Sequence, residues 1–205
     1  MVTLQTDYDQ FSIVAAKILA TSEKSSDLDL EYRKLIAETL LLRLFYELDG
    51  CVEEVILKLV RGCAYLDGSR PKLMCDPFKS KDAARQHILK KSKSYYLEWT
   101  TIGKINKNLN GILDPADHFI TTRTVYNGIY EDMRNVRNHV AHNTSSTKQR
   151  FSPVVQRIYS STAGISAAKF LLSPRVAVAG YTGKENILEQ YIRWTKVFVK
   201  VLIKA

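Results

Sequence analysis

The chain has 205 residues and a mass of 23.3 kDa, and its 45% hydrophobic and 25% charged residues are the ordinary balance of a globular protein with a core. Its net charge of +9 favours a polyanionic partner such as RNA or DNA. Three scattered cysteines without a C-x-x-C pair, and no run near about 18 apolar residues, argue against a disulfide framework, a zinc site and a membrane span. The acidic N-terminus is unlike a secretory signal, so we expect a cytoplasmic protein.

The first third of the chain predicts helices. Tyr8 to Ala20 reads as a first helix, and the polar segment 21–27 as a linker. From Leu28 to Leu48 apolar residues recur at helical spacing, and Asp49-Gly50 is a candidate interruption. Another helical stripe runs from Val52 to Val60, so a break at the glycine would leave one helix on each side of it.

The middle of the chain alternates loops with helices. The segment 67–78 contains two prolines and a glycine and predicts a loop. A basic helix is predicted from Ser80 to about Tyr96, and residues 106–115 again predict a loop. A long helix from about Thr122 to His142 follows.

The last third is harder to interpret until the final helix. Residues 143–149 predict a surface loop, and residues 151–183 predict short strands or irregular structure because Pro153 and Pro174 interrupt a long helix. Lys184 to Lys204 predicts an amphipathic helix. The sequence therefore predicts an all-α bundle of about five main helices, with an irregular segment before the last one.

The predicted helix Thr122–His142 carries the candidate chemistry. At 100° per residue, five apolar side chains form a narrow stripe that should face the core: Val125, Ile129, Met133, Val136 and Val140. Four polar side chains spread over the opposite side: Arg134, Arg137, Asn138 and His142. Such a polar face is usually only solvated, so periodicity alone does not establish a site.

The order of residues 137–142, Arg-Asn-His-Val-Ala-His, resembles the signature of the HEPN superfamily. In that signature an arginine and a polar residue, very often asparagine, are followed by three variable positions and a histidine. The resemblance implies one HEPN-like domain over residues 1–205. Among the branches of this superfamily, the chain most resembles the stand-alone prokaryotic toxin and phage-defence nucleases.

This resemblance implies a metal-independent endoribonuclease with Arg137, Asn138 and His142 as catalytic residues. The RNA 2′-hydroxyl would attack the neighbouring phosphate and leave a 2′,3′-cyclic phosphate. An imidazole can exchange protons near neutral pH, and a guanidinium can bind a phosphate through two nitrogens. Family members usually pair two motifs, so we expect a homodimer with a composite active site, no cofactor, and an antitoxin or defence-system protein as a candidate partner.

Basic residues near the motif are the predicted substrate ligands: Arg134, Lys148 and Arg150, with His139 as an ambiguous fourth. The stretch from Met133 to Lys184 contains no Asp or Glu, which suits a phosphate backbone. A histidine at a position like that of His139 is more often partly buried and structural than a second catalytic residue. His139 could ligate a metal together with His142, but no third ligand lies nearby in the sequence, so no metal is predicted.

Three further points stay open at this stage. Glu47 or Glu53 could brace Arg137 from an earlier helix. A second basic segment from Lys79 to Lys93 precedes Tyr95, Tyr96 and Trp99, whose rings could stack RNA bases or belong to the core. Thr144 occupies the place where some HEPN toxins carry a modified tyrosine, so that regulation is not expected.

Two alternative functions compete with cleavage. A non-catalytic HEPN module that binds RNA or scaffolds a defence complex is the first, and the intact motif argues against it. A helical DNA-binding protein is the second. It is suggested by the charge alone, since no helix-turn-helix pattern is convincing.

Overall fold

A computed structural model describes residues 3–92, Leu97, Trp99 and residues 101–205. This part of the chain is all-helical and contains no strand, only an isolated antiparallel bridge between Leu73 and Leu113. The α-helices are α1 (Leu4–Lys24), α2 (Leu30–Leu59), α3 (Lys81–Ser92), α4 (Ile102–Leu109), α5 (His118–Val125), α6 (Asn127–His142), α7 (Ser145–Tyr159), α8 (Ala167–Leu171) and α9 (Ile187–Leu202).

The all-α prediction is confirmed, but the number of helices was underestimated, because the described residues contain nine rather than about five. Helix α4 ends inside the predicted loop 106–115, and α7 and α8 lie where a loop and strands were predicted. No helix in the described part of the chain is both long enough and apolar enough to cross a bilayer.

Helix α2 runs without a break through Asp49 and Gly50, so the predicted interruption is wrong. Gly50 lies on the exposed side, and a glycine inside a helix costs only about 1 kcal/mol. Its neighbours Leu48, Cys51 and Val52 are buried, and each large apolar side chain contributes about 1.5–3 kcal/mol on burial. Packing on both sides of the glycine therefore keeps the helix continuous.

The motif helix α6 begins at Asn127 instead of Thr122, because Tyr126 separates it from α5. Val125 is consequently outside the stripe and is 78% exposed. Met133 and Val136 are buried as predicted, and Tyr130, which the predicted stripe omitted, is fully buried beside them.

Helix α7 begins where residues 143–149 were predicted to be a loop. Thr144 caps it: its hydroxyl accepts from the N–H of Thr147, whose hydroxyl accepts from the N–H of Thr144 in return. Pro153 lies inside the helix, contrary to the prediction that it would interrupt one, and Phe151 and Val154 beside it are buried. Burial of this face outweighs the hydrogen bond that the proline cannot donate.

Helix α8 contains Phe170 and Leu171, which the sequence placed in a short strand, and both are fully buried. The hydroxyl of Ser166 caps this helix by accepting from the N–H of Lys169. A buried apolar run of this length fits a helix or a strand equally well, which explains the wrong prediction.

The chain forms two compact units, each assembled from separate stretches of sequence. The first unit contains residues up to Phe11, residues 48–127 and residues 197–205. Two buried polar pairs lie in this unit: Lys58 Nζ donates to Asp7 Oδ2 over 2.6 Å, and Tyr65 Oη donates to Asp117 Oδ1 over 2.5 Å.

The second unit contains residues 12–47 and 128–196, and it holds the whole motif. Phe45 of α2 packs edge-on against Tyr130 of α6, with ring centroids 5.7 Å apart, and this contact anchors the motif helix in the core of the unit. The single HEPN-like domain over residues 1–205 stays a prediction.

Candidate functional site

Arg137 and Asn138 lie on the last turns of α6, and His142 is its final residue. The side chains of Arg137 and Asn138 are half-buried, whereas His142 is exposed. Burial of Tyr130, Met133 and Val136 orients the helix, and Arg137, four residues after Met133, lies at the edge of this buried face. The fold therefore presents His142 to solvent and keeps Arg137 half-buried, contrary to the prediction that Arg137 lies on the side opposite the core.

The structure joins Arg137 and Asn138 directly. Arg137 Nη1 donates to Asn138 Oδ1 over 2.9 Å, so one side of the guanidinium is oriented by its sequence neighbour. Arg137 Nε is buried and has no hydrogen-bond partner among the described residues. A buried donor left unpaired costs about 1–3 kcal/mol, and such groups are concentrated at sites that bind a ligand or an ion.

His142 has no hydrogen bond to Asn138 within the described part of the chain. Asn138 Oδ1 instead accepts from Arg137. The exposed imidazole of His142 leaves both ring nitrogens open to solvent or substrate.

Arg134 is engaged by its own helix. Its Nε and Nη2 donate to Glu131 Oε2 over 3.0 and 2.5 Å, and its side chain is only 17% exposed. The structure therefore gives Arg134 a carboxylate partner before any substrate arrives. Its role as a substrate ligand stays a prediction, and it would require that ion pair to rearrange.

His139 connects the motif helix to α7. Its ring stacks on Phe151 at a centroid distance of 4.7 Å, and its Nδ1 lies 3.2 Å from Thr147 Oγ1. Partial burial lowers the pKa of His139 below its usual 6.5, and the positive charge of Lys148 lowers it further. His139 is therefore mostly neutral at pH 7 and occupied by structural contacts.

The junction after His142 is short and well defined. Asn143 adopts a left-handed conformation with φ of 44°, which asparagine tolerates better than most residues. Thr144 then caps α7, so the first turn of that helix follows the motif directly. Lys148 and Arg150 are exposed on α7 and form no ion pair within the described residues.

Neither acidic candidate braces Arg137. Glu47 Oε1 forms an ion pair with Arg43 Nη2 at 2.5 Å. Glu53 accepts from Arg85 and from Trp99 Nε1. Both carboxylates are used by other partners, which a sequence without contact information could not show.

Three cations of the second basic segment have partners, whereas Lys79 and Lys90 are exposed without an ion pair among the described residues. Lys81 and Arg85 of α3 form ion pairs with Glu54 and Glu53 of α2, and Lys91 donates to the carbonyl of Asn110. Trp99 is 3% exposed, so its ring belongs to the core, as the alternative interpretation proposed. Lys93, Tyr95 and Tyr96 lie outside the described residues.

Sequence reasoning missed the contribution of Thr147 and Phe151, which hold His139. The signal was present: Thr144 and Thr147 have the spacing of a helix cap, and Phe151 and Val155 continue an apolar face at helical spacing. Within the described residues, no group of three or more His, Cys, Asp and Glu side chains is arranged to hold a metal ion.

Comparisons with protein-family models, with curated proteins and with solved structures found no match. The resemblance to the HEPN superfamily is carried by residues 137–142, and membership of that superfamily stays a prediction.

Proposed function

We propose that the chain is a metal-independent endoribonuclease whose catalytic residues are Arg137, Asn138 and His142. The observation that carries this proposal is the end of α6, where an exposed imidazole, a half-buried amide and a half-buried guanidinium lie within six residues, with the amide oxygen bound to the guanidinium. This is the set of groups that the HEPN signature would place around a ribose-phosphate linkage.

The reaction follows from what each group can do. The 2′-oxygen attacks phosphorus and the bond from phosphorus to the 5′-oxygen breaks, giving a 2′,3′-cyclic phosphate and a 5′-hydroxyl. One proton leaves the 2′-hydroxyl and one reaches the departing 5′-oxygen. His142 exchanges these protons as the general acid or base, because an imidazole titrates near neutral pH.

Arg137 acts on the phosphate. Its guanidinium would donate to the non-bridging oxygens, where negative charge grows in the transition state. Asn138 already fixes one terminal nitrogen of that guanidinium, so its role is to orient Arg137.

The charge around the motif favours RNA as the substrate. Lys148 and Arg150 are exposed just after the motif, in a stretch of chain without any acidic residue. A phosphate backbone gains affinity from such cations through release of its counterions. We propose both residues as substrate ligands that position the RNA.

A single chain supplies a single available imidazole at this end of α6. His139 is stacked on Phe151 and bonded to Thr147, so it is poorly placed to act as a second proton carrier. We therefore keep the homodimer with a composite active site as part of the proposal, together with a cytoplasmic toxin or defence role and an inhibitory partner.

The second candidate is a module that binds RNA, or scaffolds a defence complex, without cutting. One observation favours it: Arg134 is paired with Glu131 and Arg137 with Asn138, so both arginines already have partners in the free chain. Binding without cleavage, unaffected by loss of His142, would be its signature.

The test is incubation of purified protein with a defined RNA in excess chelator, followed by analysis of the product ends. We expect cyclic phosphate ends from the wild type and none from His142→Ala. His87→Ala is the matched control, because His87 is also an exposed histidine on a helix. Cutting that requires added divalent metal, or that survives in His142→Ala, would contradict the mechanism.

A further inference from the structure

Helix α2 carries a second apolar face that its own unit leaves uncovered. Tyr32 and Leu35 are each 63% exposed, and Tyr46 is 72% exposed. Thr39 is exposed and Leu42 half-buried between them. Soluble proteins rarely expose a continuous row of large apolar side chains on one helix, and such rows mark interaction sites.

This face points away from the core of the unit. The buried side chains of the same part of α2 are Ala37, Leu41, Leu44, Phe45 and Leu48. At 100° per residue, the exposed row is centred about 160° from the buried row. A helix that is apolar on two opposite sides is normally covered on both of them.

The spacing of the row is that of a helix-pairing seam. Its members follow each other at intervals of three, four, three and four residues from Tyr32 to Tyr46. This is the repeat at which apolar side chains meet a second helix and pack between its side chains. The occupant should therefore be a helix rather than a flat surface.

We propose that this face binds the same face of a second copy of the chain, with the two α2 helices antiparallel. The row matches itself when it is reversed: the residues that then meet have numbers that add to 74. Tyr32 meets Leu42 of the second copy, and Leu35 meets Thr39. Tyr46 meets Leu28, which precedes α2 and is 47% exposed.

Charge complementarity supports the antiparallel orientation. Asp29 and Arg43 border the row on one side and are both exposed. In the antiparallel pair each Asp29 lies near Arg43 of the other copy, and the exposed Arg43 guanidinium, which binds Glu47 of its own chain over 2.5 Å, would lie between the two carboxylates. A parallel pair would instead bring Arg43 to Glu38, whose carboxylate is already bound to the backbone of Ala168.

The other border of the row carries Glu31 and Glu38, and in this register the two Glu38 side chains lie near each other. Glu38 is held by the backbone of its own Ala168, which limits the repulsion. Glu31 is exposed and paired with Lys34 of its own chain at 2.5 Å.

The predicted dimer is weak. The row extends for about 21 Å along the helix, which is four turns. An interface formed mainly by two such helices lies at the small end of the stable range, about 600 Å² per partner, so we expect a weak dimer with a dissociation constant of about 1–10 μM.

The first test is the mass in solution as a function of concentration, measured by sedimentation equilibrium. The wild type should approach twice 23.3 kDa at about 100 μM. Leu35→Lys should raise the dissociation constant at least about a hundredfold and leave a monomer, because it places two charges in the seam. Val125→Lys is the control, since Val125 is an equally apolar, 78% exposed residue outside the row.

The second test addresses the orientation by charge exchange. Asp29→Arg and Arg43→Asp should each weaken the dimer, and the double variant should restore it to near the wild-type dissociation constant. Circular dichroism of each variant checks that the helices remain folded.

Several results would overturn the proposal. A folded wild type that stays monomeric at about 100 μM would assign the face to a different protein. A Leu35→Lys chain that dimerises like the wild type would exclude α2 as the contact between copies, and the dimer of the proposed composite active site would then use another surface. A double charge variant as weak as the single ones would exclude the antiparallel pair. These measurements read mass and do not depend on RNA cleavage.

Discussion

Two basic regions of the chain look alike in sequence and differ in structure. On α3, Lys81 and Arg85 are neutralised by glutamates of α2, and Lys91 is bound to a backbone carbonyl. Around the motif, Lys148 and Arg150 have no acidic partner in the described residues. The first region uses its charge to hold two helices together, and the second leaves its charge for a ligand.

The difference shows that the position of carboxylates decides what a basic segment can bind. Two adjacent acids on α2, Glu53 and Glu54, neutralise Arg85 and Lys81 of α3. The 52 residues from Met133 to Lys184 contain no acid, so only Glu131 and Asp132, just before them, compete for the cations there. Each prediction below contrasts the two regions.

The largest contrast is expected in RNA cleavage. Arg137→Ala should lower the cleavage rate about 10²–10³-fold, because it removes the donor that stabilises charge on the phosphate. Arg85→Ala, on α3, should leave the rate within about twofold, since its partner is Glu53. Single-turnover cleavage of one labelled RNA measures both. Equal losses in the two variants would mean that charge in general, and not the motif, drives cleavage.

A smaller contrast is expected in RNA binding and its salt dependence. The double variant Lys148→Ala/Arg150→Ala should bind more weakly, and the slope of log affinity against log salt should fall by about one to two. Lys81→Ala/Lys91→Ala removes the same charge from α3 and should change the slope by much less. Fluorescence anisotropy at several salt concentrations gives both slopes, and matching slopes would contradict the comparison.

Acid should destabilise the motif region through His139. Because burial and Lys148 lower the pKa of His139 in the folded chain, the folded state prefers the neutral ring. The resulting stability is complete above the unfolded pKa of 6.5 and is lost as the pH falls through the folded value.

His139→Gln tests this effect, because glutamine can still bond to Thr147 but does not titrate. The melting temperature of the wild type should fall further than that of the variant between about pH 7.5 and pH 5. Parallel pH profiles of the two proteins would show that His139 does not carry the effect.

The smallest effect is expected in the stability of α3. The ion pair between Arg85 and Glu53 is about half exposed on the arginine side, so Arg85→Ala should cost only about 0.2–1 kcal/mol of unfolding free energy. Urea denaturation measures it. A loss well above that range would show that the pair is more than a surface contact between α2 and α3.

The sequence was a good guide where one strong pattern determined the outcome. The apolar spacing of α6 placed Met133 and Val136 in the core, as the structure confirms. Ile129 and Val140 of the same predicted stripe are only half-buried, and Arg137, expected on the opposite side, is half-buried too. The helical class followed from the same periodicity. These predictions depend on local pattern alone.

The sequence was a poor guide where tertiary packing overrides a local signal. Gly50 and Pro153 both predicted a break, yet both lie inside helices because their buried neighbours outweigh the local cost. The ion pairs divide in the same way. Those of Arg134 with Glu131 and of Arg43 with Glu47 have helical spacing that the sequence displays. The pair of Arg85 with Glu53 joins residues 32 positions apart, and spacing along the chain gives no access to it.

The left-handed conformation of Asn143 fixes the length of the link between α6 and α7. One inserted residue would rotate the start of α7 and pull Thr147 and Phe151 away from His139. A relative that works in the same way should carry asparagine or glycine directly after the motif histidine, then a hydroxyl-bearing cap, and an aromatic residue nine positions after that histidine. That longer pattern separates true kin from chance matches to six residues.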